Sequence, residues 1–215
     1  MSLSQAEGEL LVRIARRAVE KYLAEFAELK PPEDSPQKLR EKRGVFVTLE
    51  KLVLAEGGMR RRVLRGCIGF PEPIYPLIVG TIKAAIEAAM RDPRFPPVRE
   101  EELDEIVFEV SVLTKPVLVE VQKPGEYPTK IKVGYDGLIV ERGFFRGLLL
   151  PQVAVEYGWS EEEFLSQTCV KAGLPPDAWK LPGTKVYKFQ AQIFAELEPR
   201  GEIIERKIHL GVEEE

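Results

Sequence analysis

The segment Leu64–Phe70 carries the residue types best suited to chemistry in this chain. It reads Leu-Arg-Gly-Cys-Ile-Gly-Phe, so Cys67 lies between Gly66 and Gly69 and two residues after Arg65. The two glycines would let a second backbone or a ligand approach the sulfur closely. A nearby guanidinium favours the thiolate, the form of cysteine that attacks electrophiles. The segment therefore predicts a reactive thiol, with Cys67 and Arg65 as candidate catalytic residues.

Packing is the alternative explanation of Cys67, because free cysteine is among the most buried residue types. Cysteine nucleophiles usually rely on a base, and the one histidine, His209, lies in a charged C-terminal segment. Glu109 is the better candidate base, because the apolar strand around it would desolvate its carboxyl group and raise its pKa. An ion pair of Glu109 with Arg65 or Arg94 explains the residue equally well.

The candidate substrate- or partner-binding residues are Gly66, Gly69, Asp92, Arg94 and Gln152. Asp92 precedes a proline, so it either ends the preceding helix or, with Arg94, orients a substrate. Gln152 stands in an apolar setting, where it must find a hydrogen-bond partner if buried, or binds a ligand amide.

Composition excludes several classes of function. The net charge is −4, from 31 basic and 35 acidic residues interspersed along 215 positions, so no overall field attracts nucleic acid. Arg60, Arg61, Arg62 and Arg65 form a basic strand that could meet RNA, a phosphate or an acidic partner, but charges at a hairpin edge also deter strand pairing. Two cysteines and one histidine cannot build the usual zinc cage, and no dinucleotide or phosphate loop is present. We therefore expect no metal and no cofactor.

Location and habitat are also indicated by the sequence. No secretory signal is recognisable, and no window approaches the about 18 apolar residues of a membrane span. We therefore expect a cytoplasmic protein. The absence of asparagine and the abundance of charged residues resemble the hyperthermophile pattern.

Hydrophobic periodicity predicts an α+β fold, an antiparallel sheet covered by helices. On the second strand of the first hairpin, a period of two places Arg65 and Cys67 on the same face. The predicted elements are an N-terminal helix within residues 1–30, a loop over 29–43, a hairpin of Val45–Leu54 and Arg60–Phe70, a helix from about 77 to 89, a central strand Ile106–Leu113, a hairpin within 130–142, a helix after Pro151, a helix from Ser160, a strand Thr184–Leu197 and a charged, loosely held tail over 199–215.

The residues of Leu64–Gly69 resemble the hallmark of the AMMECR domain family. Three further segments are similar to the family pattern in the same order, so that residues 44–195 form the matched core: 92–98, 109–113, and 147–153 leading to Trp159 and to 171–173. The resemblance implies a single AMMECR-like domain over 1–215 with two subdomains, and signature residues gathered near a cleft between them. It also implies an activity that is not established, and association with Memo-like and radical S-adenosylmethionine proteins.

Three functions follow as hypotheses. The first is an enzyme or enzyme component whose cleft contains Cys67, Arg65 and Glu109. The second is a non-catalytic module that binds a Memo-like or radical S-adenosylmethionine partner. RNA or nucleotide binding is the weakest of the three.

Overall fold

The computed structural model describes residues 2–54 and 60–207, and this part of the chain forms two compact units. The first unit comprises its residues up to Leu113 together with Gln192–Arg206, and the second comprises Thr114–Ala191 and Lys207. The helices are α1 (Gln5–Glu25), α2 (Gln37–Arg40), α3 (Leu77–Met90), α4 (Tyr127–Lys130), α5 (Pro151–Glu156) and α6 (Glu161–Lys171). The strands are β1 (Val45–Leu54), β2 (Arg60–Phe70), β3 (Ile106–Leu113), β4 (Val117–Leu118), β5 (Gly137–Arg142), β6 (Phe145–Leu149), β7 (Lys185–Phe189), β8 (Ala191–Glu196) and β9 (Ile203–Arg206).

The first unit is a five-stranded sheet in the order β2-β1-β3-β8-β9, with antiparallel pairing of β1 to both β2 and β3. Helices α1 and α3 pack on one face of it, where they bury alternate residues such as Val47 and Phe108. Helix α1 begins with a capping box between Ser4 and Glu7, which satisfies the first free amides of the helix. The predicted α+β fold, the N-terminal helix and the first hairpin are confirmed.

The face of this sheet opposite to α1 and α3 is here called the Thr48 face. Side chains alternate along a strand, so the residues between the core positions of β1 and β3 lie on it. Cross-strand register assigns the positions of β2. The Thr48 face carries Phe46, Thr48 and Glu50 of β1, Leu64, Cys67 and Gly69 of β2, and Val107, Glu109 and Ser111 of β3.

An ion pair lies within the core on the helix side. Arg16 of α1 donates to both carboxylate oxygens of Glu196 on β8, at 2.7 and 2.5 Å, and both side chains are at most 6% exposed. The guanidinium also donates to two backbone carbonyls and lies 4.6 Å from the centre of the Phe108 ring. The amide of Phe108 donates to the same carboxylate. These bonds compensate the burial of both charges and join α1 to the last part of the sheet.

The second unit is a four-stranded antiparallel sheet in the order β4-β7-β5-β6, with α6 packed on β5 and β6. Its core includes Phe164, Leu165 and Trp179, and Cys169 is fully buried among them. Cys169 is therefore a packing residue of this core. Helix α6 begins at a capping box of Ser160 and Glu163, so the helix predicted from Ser160 is confirmed.

Two of the predicted strand arrangements were wrong. Residues 130–142 do not form a hairpin by themselves, because β5 pairs with β6 across the two-residue turn of Gly143 and Phe144, where Gly143 has a φ of 59°. The strand predicted over 184–197 is two strands of different sheets, β7 and β8, which separate at Gln190. Gln190 instead exchanges hydrogen bonds with Thr114.

The loop and the tail also differ from expectation. The predicted loop over 29–43 contains α2, whose Leu39 is buried. Within the predicted tail, Ile203–Arg206 pairs with β8, because Ile203 enters the core. The predicted turn at Ala55–Gly58 and the tail residue His209 lie outside the described residues. None of the described helices is long and apolar enough to cross a bilayer.

We expect Arg16→Ala to lower the free energy of unfolding by about 3–5 kcal/mol, because the Glu196 carboxylate would stay buried without its counterion. Arg13→Ala is the matched control on α1, since it removes only an exposed pair with Glu9 and should cost less than about 1 kcal/mol. Guanidinium denaturation measures both values. Similar losses in the two variants would contradict a special role for the buried pair.

Candidate functional site

A β-bulge lies within the Leu64–Phe70 segment. Leu49 of β1 pairs with Gly66, whereas the next residue, Glu50, pairs with Leu64, so that Arg65 is the extra residue of β2. A bulge places two successive residues on the same side of a sheet and shifts the alternation beyond it. Arg65 and Gly66 therefore both lie on the helix side, and Cys67 lies on the Thr48 face.

The prediction that Arg65 and Cys67 share a face was wrong, because a strict period of two does not pass through a bulge. The Arg65 guanidinium donates to both oxygens of Glu102 at 3.0 Å and to the carbonyls of Pro96 and Pro97. Arg65 holds the pKa of Glu102 at about 2. Its charge is thus used to fasten the loop after α3, and it does not activate the thiol.

Gly66 and Gly69 are required by packing within the unit. A Cβ at Gly66 would lie 2.2 Å from the carbonyl oxygen of Ala88 in α3, and a Cβ at Gly69 would lie 2.3 Å from the Phe46 ring. The expected close approach to the Cys67 sulfur is not what these contacts provide, because they are made at the glycines themselves and the Ala88 carbonyl lies on the opposite face of the sheet from Cys67. The approaching groups are a helix backbone and an aromatic side chain of the same unit.

Asp92 and Arg94 hold the backbone of Cys67. The amide of Cys67 donates to Asp92 Oδ2 at 2.9 Å, and Arg94 donates to the carbonyl of Cys67 at 3.2 Å. Arg94 also binds both carboxylate oxygens of Asp92, at 2.9 and 2.6 Å, and lowers the pKa of Asp92 to about 2. Because β2 is an edge strand, the amide and carbonyl of Cys67 would otherwise lack a neighbouring strand. Asp92 and Arg94 satisfy these two groups. Asp92 thus does more than end helix α3.

The surroundings of the Cys67 thiol favour its protonated form. Its sulfur accepts a hydrogen bond from Thr48 Oγ1 at 3.2 Å, and the residue is half-buried. Burial raises the pKa of the Cys67 thiol, and this outweighs the opposing effects of the Thr48 hydroxyl and of Arg94. The expected arginine-activated thiolate is therefore not what the geometry provides, since at neutral pH the group is a protonated thiol.

Glu109 lies in line with the thiol across the sheet, because Thr48 pairs with Cys67 on one side and with Glu109 on the other. Glu109 is 3% exposed, and burial raises its pKa to about 7, the direction that the sequence predicted. It forms an ion pair with Arg206 of β9, so the expected partners Arg65 and Arg94 were wrong. Both of those arginines bind other carboxylates.

The other candidates lie elsewhere. Gln152 is in α5 and belongs to the second unit, whereas Cys67, Asp92, Arg94 and Glu109 all belong to the first. In the basic strand, Arg60 pairs with Glu198 at 2.6 Å and Arg62 pairs with Glu50 at 3.1 Å. Within the described residues, no group of three or more His, Cys, Asp or Glu could hold a metal ion.

Sequence reasoning missed Thr48, Glu102 and Arg206, which surround the candidate residues. Thr48 could have been found from the alternation of β1, since it lies on the face opposite to Val47 and Leu49. Glu102 and Arg206 carried no such signal, because the contacts that define them join segments 37 and 97 residues apart.

The raised pKa predicts slow alkylation of Cys67 at neutral pH. Iodoacetamide should label Cys67 about tenfold faster for each pH unit up to about pH 9, because only the thiolate reacts. Cys169 is the internal control, since it is fully buried and should be labelled only after unfolding. Mass spectrometry of native protein gives both rates. A rate for Cys67 that is already maximal at pH 6–7 would show an activated thiolate.

Glu109 should make stability fall as the pH rises. Its pKa is 4.5 in the unfolded chain and about 7 when folded, so its unfavourable contribution is absent below about pH 4.5 and complete above pH 7. We expect Glu109→Gln to remove this dependence, which is on the order of 3 kcal/mol between pH 4.5 and 8. Denaturation at both pH values tests it, with Glu105→Gln as the exposed control. Parallel losses in wild type and Glu109→Gln would refute the shift.

Comparison with known proteins agrees with the resemblance of the signature segments. Residues 12–194 match the family described as AMMECR1. A protein of Thermofilum pendens is 62% identical over 205 residues, 95% of this chain and 96% of its own length. Protein PH0010 of Pyrococcus horikoshii is 62% identical over 196 residues, 91% of this chain and 93% of its own.

A solved structure shows the same fold. The crystal structure of the uncharacterized protein PH0010 from Pyrococcus horikoshii superposes with a TM-score of 0.89 at 59% identity, covering 95% of this chain and 98% of that chain. The sequence match covers most of both units and includes every candidate site residue. This chain belongs to the AMMECR1 family.

Proposed function

We propose that this chain is a partner-binding protein whose contact surface is the accessible part of the Thr48 face on β2, at Leu64 and Cys67, since Thr48, Glu109 and Ser111 on the same face are buried. The observation that carries the proposal is the hydrogen bond from the Cys67 amide to Asp92. In a cysteine nucleophile, the amide of the nucleophilic residue commonly stabilises the oxyanion of the intermediate, so it must be available. Here the carboxylate already occupies it, the sulfur is hydrogen-bonded to the Thr48 hydroxyl, and burial raises the pKa of the Cys67 thiol.

The partner that we propose is a Memo-like or radical S-adenosylmethionine protein, on the basis of the family resemblance. The Thr48 face suits a protein partner because its charges are compensated by the pairs Glu50–Arg62 and Glu109–Arg206. The same face presents Leu64, which is 38% exposed. We further propose a cytoplasmic location, where the free thiols of Cys67 and Cys169 would remain reduced.

A second candidate, an enzyme component, is favoured by Glu109. A carboxyl group with a pKa of about 7 is suited to accept and donate protons at neutral pH. In that role Glu109 would move the proton and Cys67 would contact the substrate as a neutral thiol. RNA binding has less support, because Arg60 and Arg62 are neutralised by glutamates of the same chain.

Binding to purified Memo-like and radical S-adenosylmethionine proteins of the same organism tests the proposal. The double variant Leu64→Ser, Cys67→Ala removes apolar and thiol surface from the Thr48 face, and we expect it to bind at least about tenfold more weakly. Leu54→Ser is the matched control, since Leu54 is a 78% exposed leucine of the same hairpin that lies six residues along β1 from Thr48. Isothermal titration calorimetry gives the affinities.

Two results would contradict the proposal. One is the absence of binding of the wild-type protein to both partners. The other is equal weakening by the Leu54→Ser control, which would place the contact elsewhere on the hairpin. If Cys67→Ala alone retains binding but abolishes a reaction that the wild-type protein supports together with its partner, the enzyme component is the better description.

A further inference from the structure

The hairpin tip of the second unit, residues 143–145 between β5 and β6, presents two phenylalanine side chains to solvent. Phe144 is fully exposed, and Phe145 is 54% exposed. Gly143 is the first of the two turn residues and has a φ of 59°, which suits a tight hairpin turn. Phe144 is the second, so it stands at the apex, where it has no cross-strand neighbour. Two adjacent phenylalanines at a projecting apex are unfavourable in water, so we looked for a surface that would receive them.

The hairpin tip is held in place at its base. Phe145 pairs with Arg142, and a Cβ at Gly173 would lie 3.7 Å from the Phe145 ring, so the ring lies beside the residues that follow α6. The Arg142 guanidinium donates to the carbonyl of Pro182 at 2.6 Å. This bond joins the hairpin to the loop that contains Leu181, which is 41% exposed. Apolar side chains of two neighbouring loops are therefore exposed at this end of the second unit.

Basic side chains accompany these apolar ones. Residues 141–146 and 180–185, which form the two loops, contain four basic residues and one acidic residue: Arg142, Arg146, Lys180, Lys185 and Glu141. Glu141 lies 4.0 Å from Arg146 and cannot neutralise all four cations. Because the whole chain has a net charge of −4, the excess of positive charge is local to these loops. An occupant that fits this end is apolar at the apex and anionic around it.

The surface of an anionic lipid bilayer has both properties. Apolar side chains enter the boundary between headgroups and acyl chains, while lysine and arginine beside them face the headgroup phosphates. A projecting apex suits a deformable surface, since no matching hollow is needed to receive it. A second copy of the chain fits less well, because a symmetric contact through the same tip would bring two sets of basic residues together.

We propose that Phe144 and Phe145 insert into the surface of an anionic bilayer and hold the protein there reversibly, with the nearby basic residues facing the lipid phosphates. The contact is peripheral, since only the hairpin tip enters the headgroup region. It is also separate from the proposed partner binding, because the hairpin tip belongs to the second unit whereas Leu64 and Cys67 belong to the first.

Co-sedimentation with lipid vesicles tests the contact. The wild-type protein should bind vesicles of phosphatidylglycerol, more weakly as the salt concentration rises, and should bind vesicles of phosphatidylcholine much less. Phe144→Ser should weaken binding to phosphatidylglycerol by about tenfold or more, the factor expected for withdrawing one phenylalanine side chain from water. The double variant Lys180→Glu, Lys185→Glu should also weaken it by about tenfold or more.

Phe26→Ser is the matched control. Phe26 is 79% exposed, but it lies in the first unit between Glu25 and Glu28, where an anionic surface would be repelled. This variant should bind the vesicles as tightly as the wild-type protein. A Phe144→Trp variant reports insertion directly, since the emission that it adds to that of the two native tryptophans should shift to shorter wavelength when phosphatidylglycerol vesicles are added.

Several results would overturn the inference. These are no binding of the wild-type protein to phosphatidylglycerol vesicles, equal binding to both lipids, equal weakening by Phe26→Ser, or undiminished binding by Phe144→Ser. Lipid-free dimerisation that Phe144→Ser abolishes would assign the hairpin tip to a second copy of the chain. Unchanged vesicle binding by Phe144→Ser with weakened affinity for a purified protein partner would assign it to that protein. Because the Leu64→Ser, Cys67→Ala variant is measured separately, failure of vesicle binding leaves the proposed partner binding untouched.

Discussion

The β2 edge of the first sheet is completed by side chains that form hydrogen bonds with the backbone of Cys67. An edge strand presents amide and carbonyl groups that invite pairing with another chain. In this protein Asp92 accepts from the Cys67 amide and Arg94 donates to its carbonyl, so two side chains replace the missing neighbouring strand. Arg65 donates to the carbonyls of Pro96 and Pro97, which lie in the same loop after α3 as Asp92 and Arg94. The loop after α3 is thus fastened along the edge.

This arrangement decides the chemistry available at the signature cysteine. The two residues that looked able to orient a substrate, Asp92 and Arg94, bind each other and the main chain. The arginine that looked able to stabilise a thiolate lies on the other side of the sheet and neutralises Glu102. What remains on the Thr48 face is a set of mostly buried neutral groups and compensated ion pairs, of which Leu64 is exposed and Cys67 is half-buried. Such a surface is better suited to recognition than to nucleophilic attack, which is why we favour binding.

The sequence predicted the fold further than it predicted the site. Local signals were sufficient for the N-terminal helix, for the helix that begins at Ser160, for the first hairpin and for the fully buried strand β3, since each depends on neighbouring residues or on periodicity. The bulge at Arg65 was not predictable, because it is defined by the register with another strand. The same is true of the division at Gln190, which is set by bonds to Thr114, 76 residues earlier.

Burial of charge was predicted in part. The raised pKa of Glu109 followed from the apolar residues around it in the sequence, but its counterion lies on β9, within a segment that looked like a solvated tail. The buried pair of Arg16 and Glu196 carried no sequence signal, since an arginine on an amphipathic helix is ordinarily solvated.

The connectivity of the two units has a consequence for synthesis on the ribosome. Strands β8 and β9, which complete the first sheet, follow residues 114–190 in the chain. The residues up to Leu113 therefore emerge while β3 still lacks its second neighbour, β8, and while Arg16 still lacks its partner Glu196. The inserted unit, whose sheet is formed within one continuous stretch, can fold while the earlier residues wait for the last two strands.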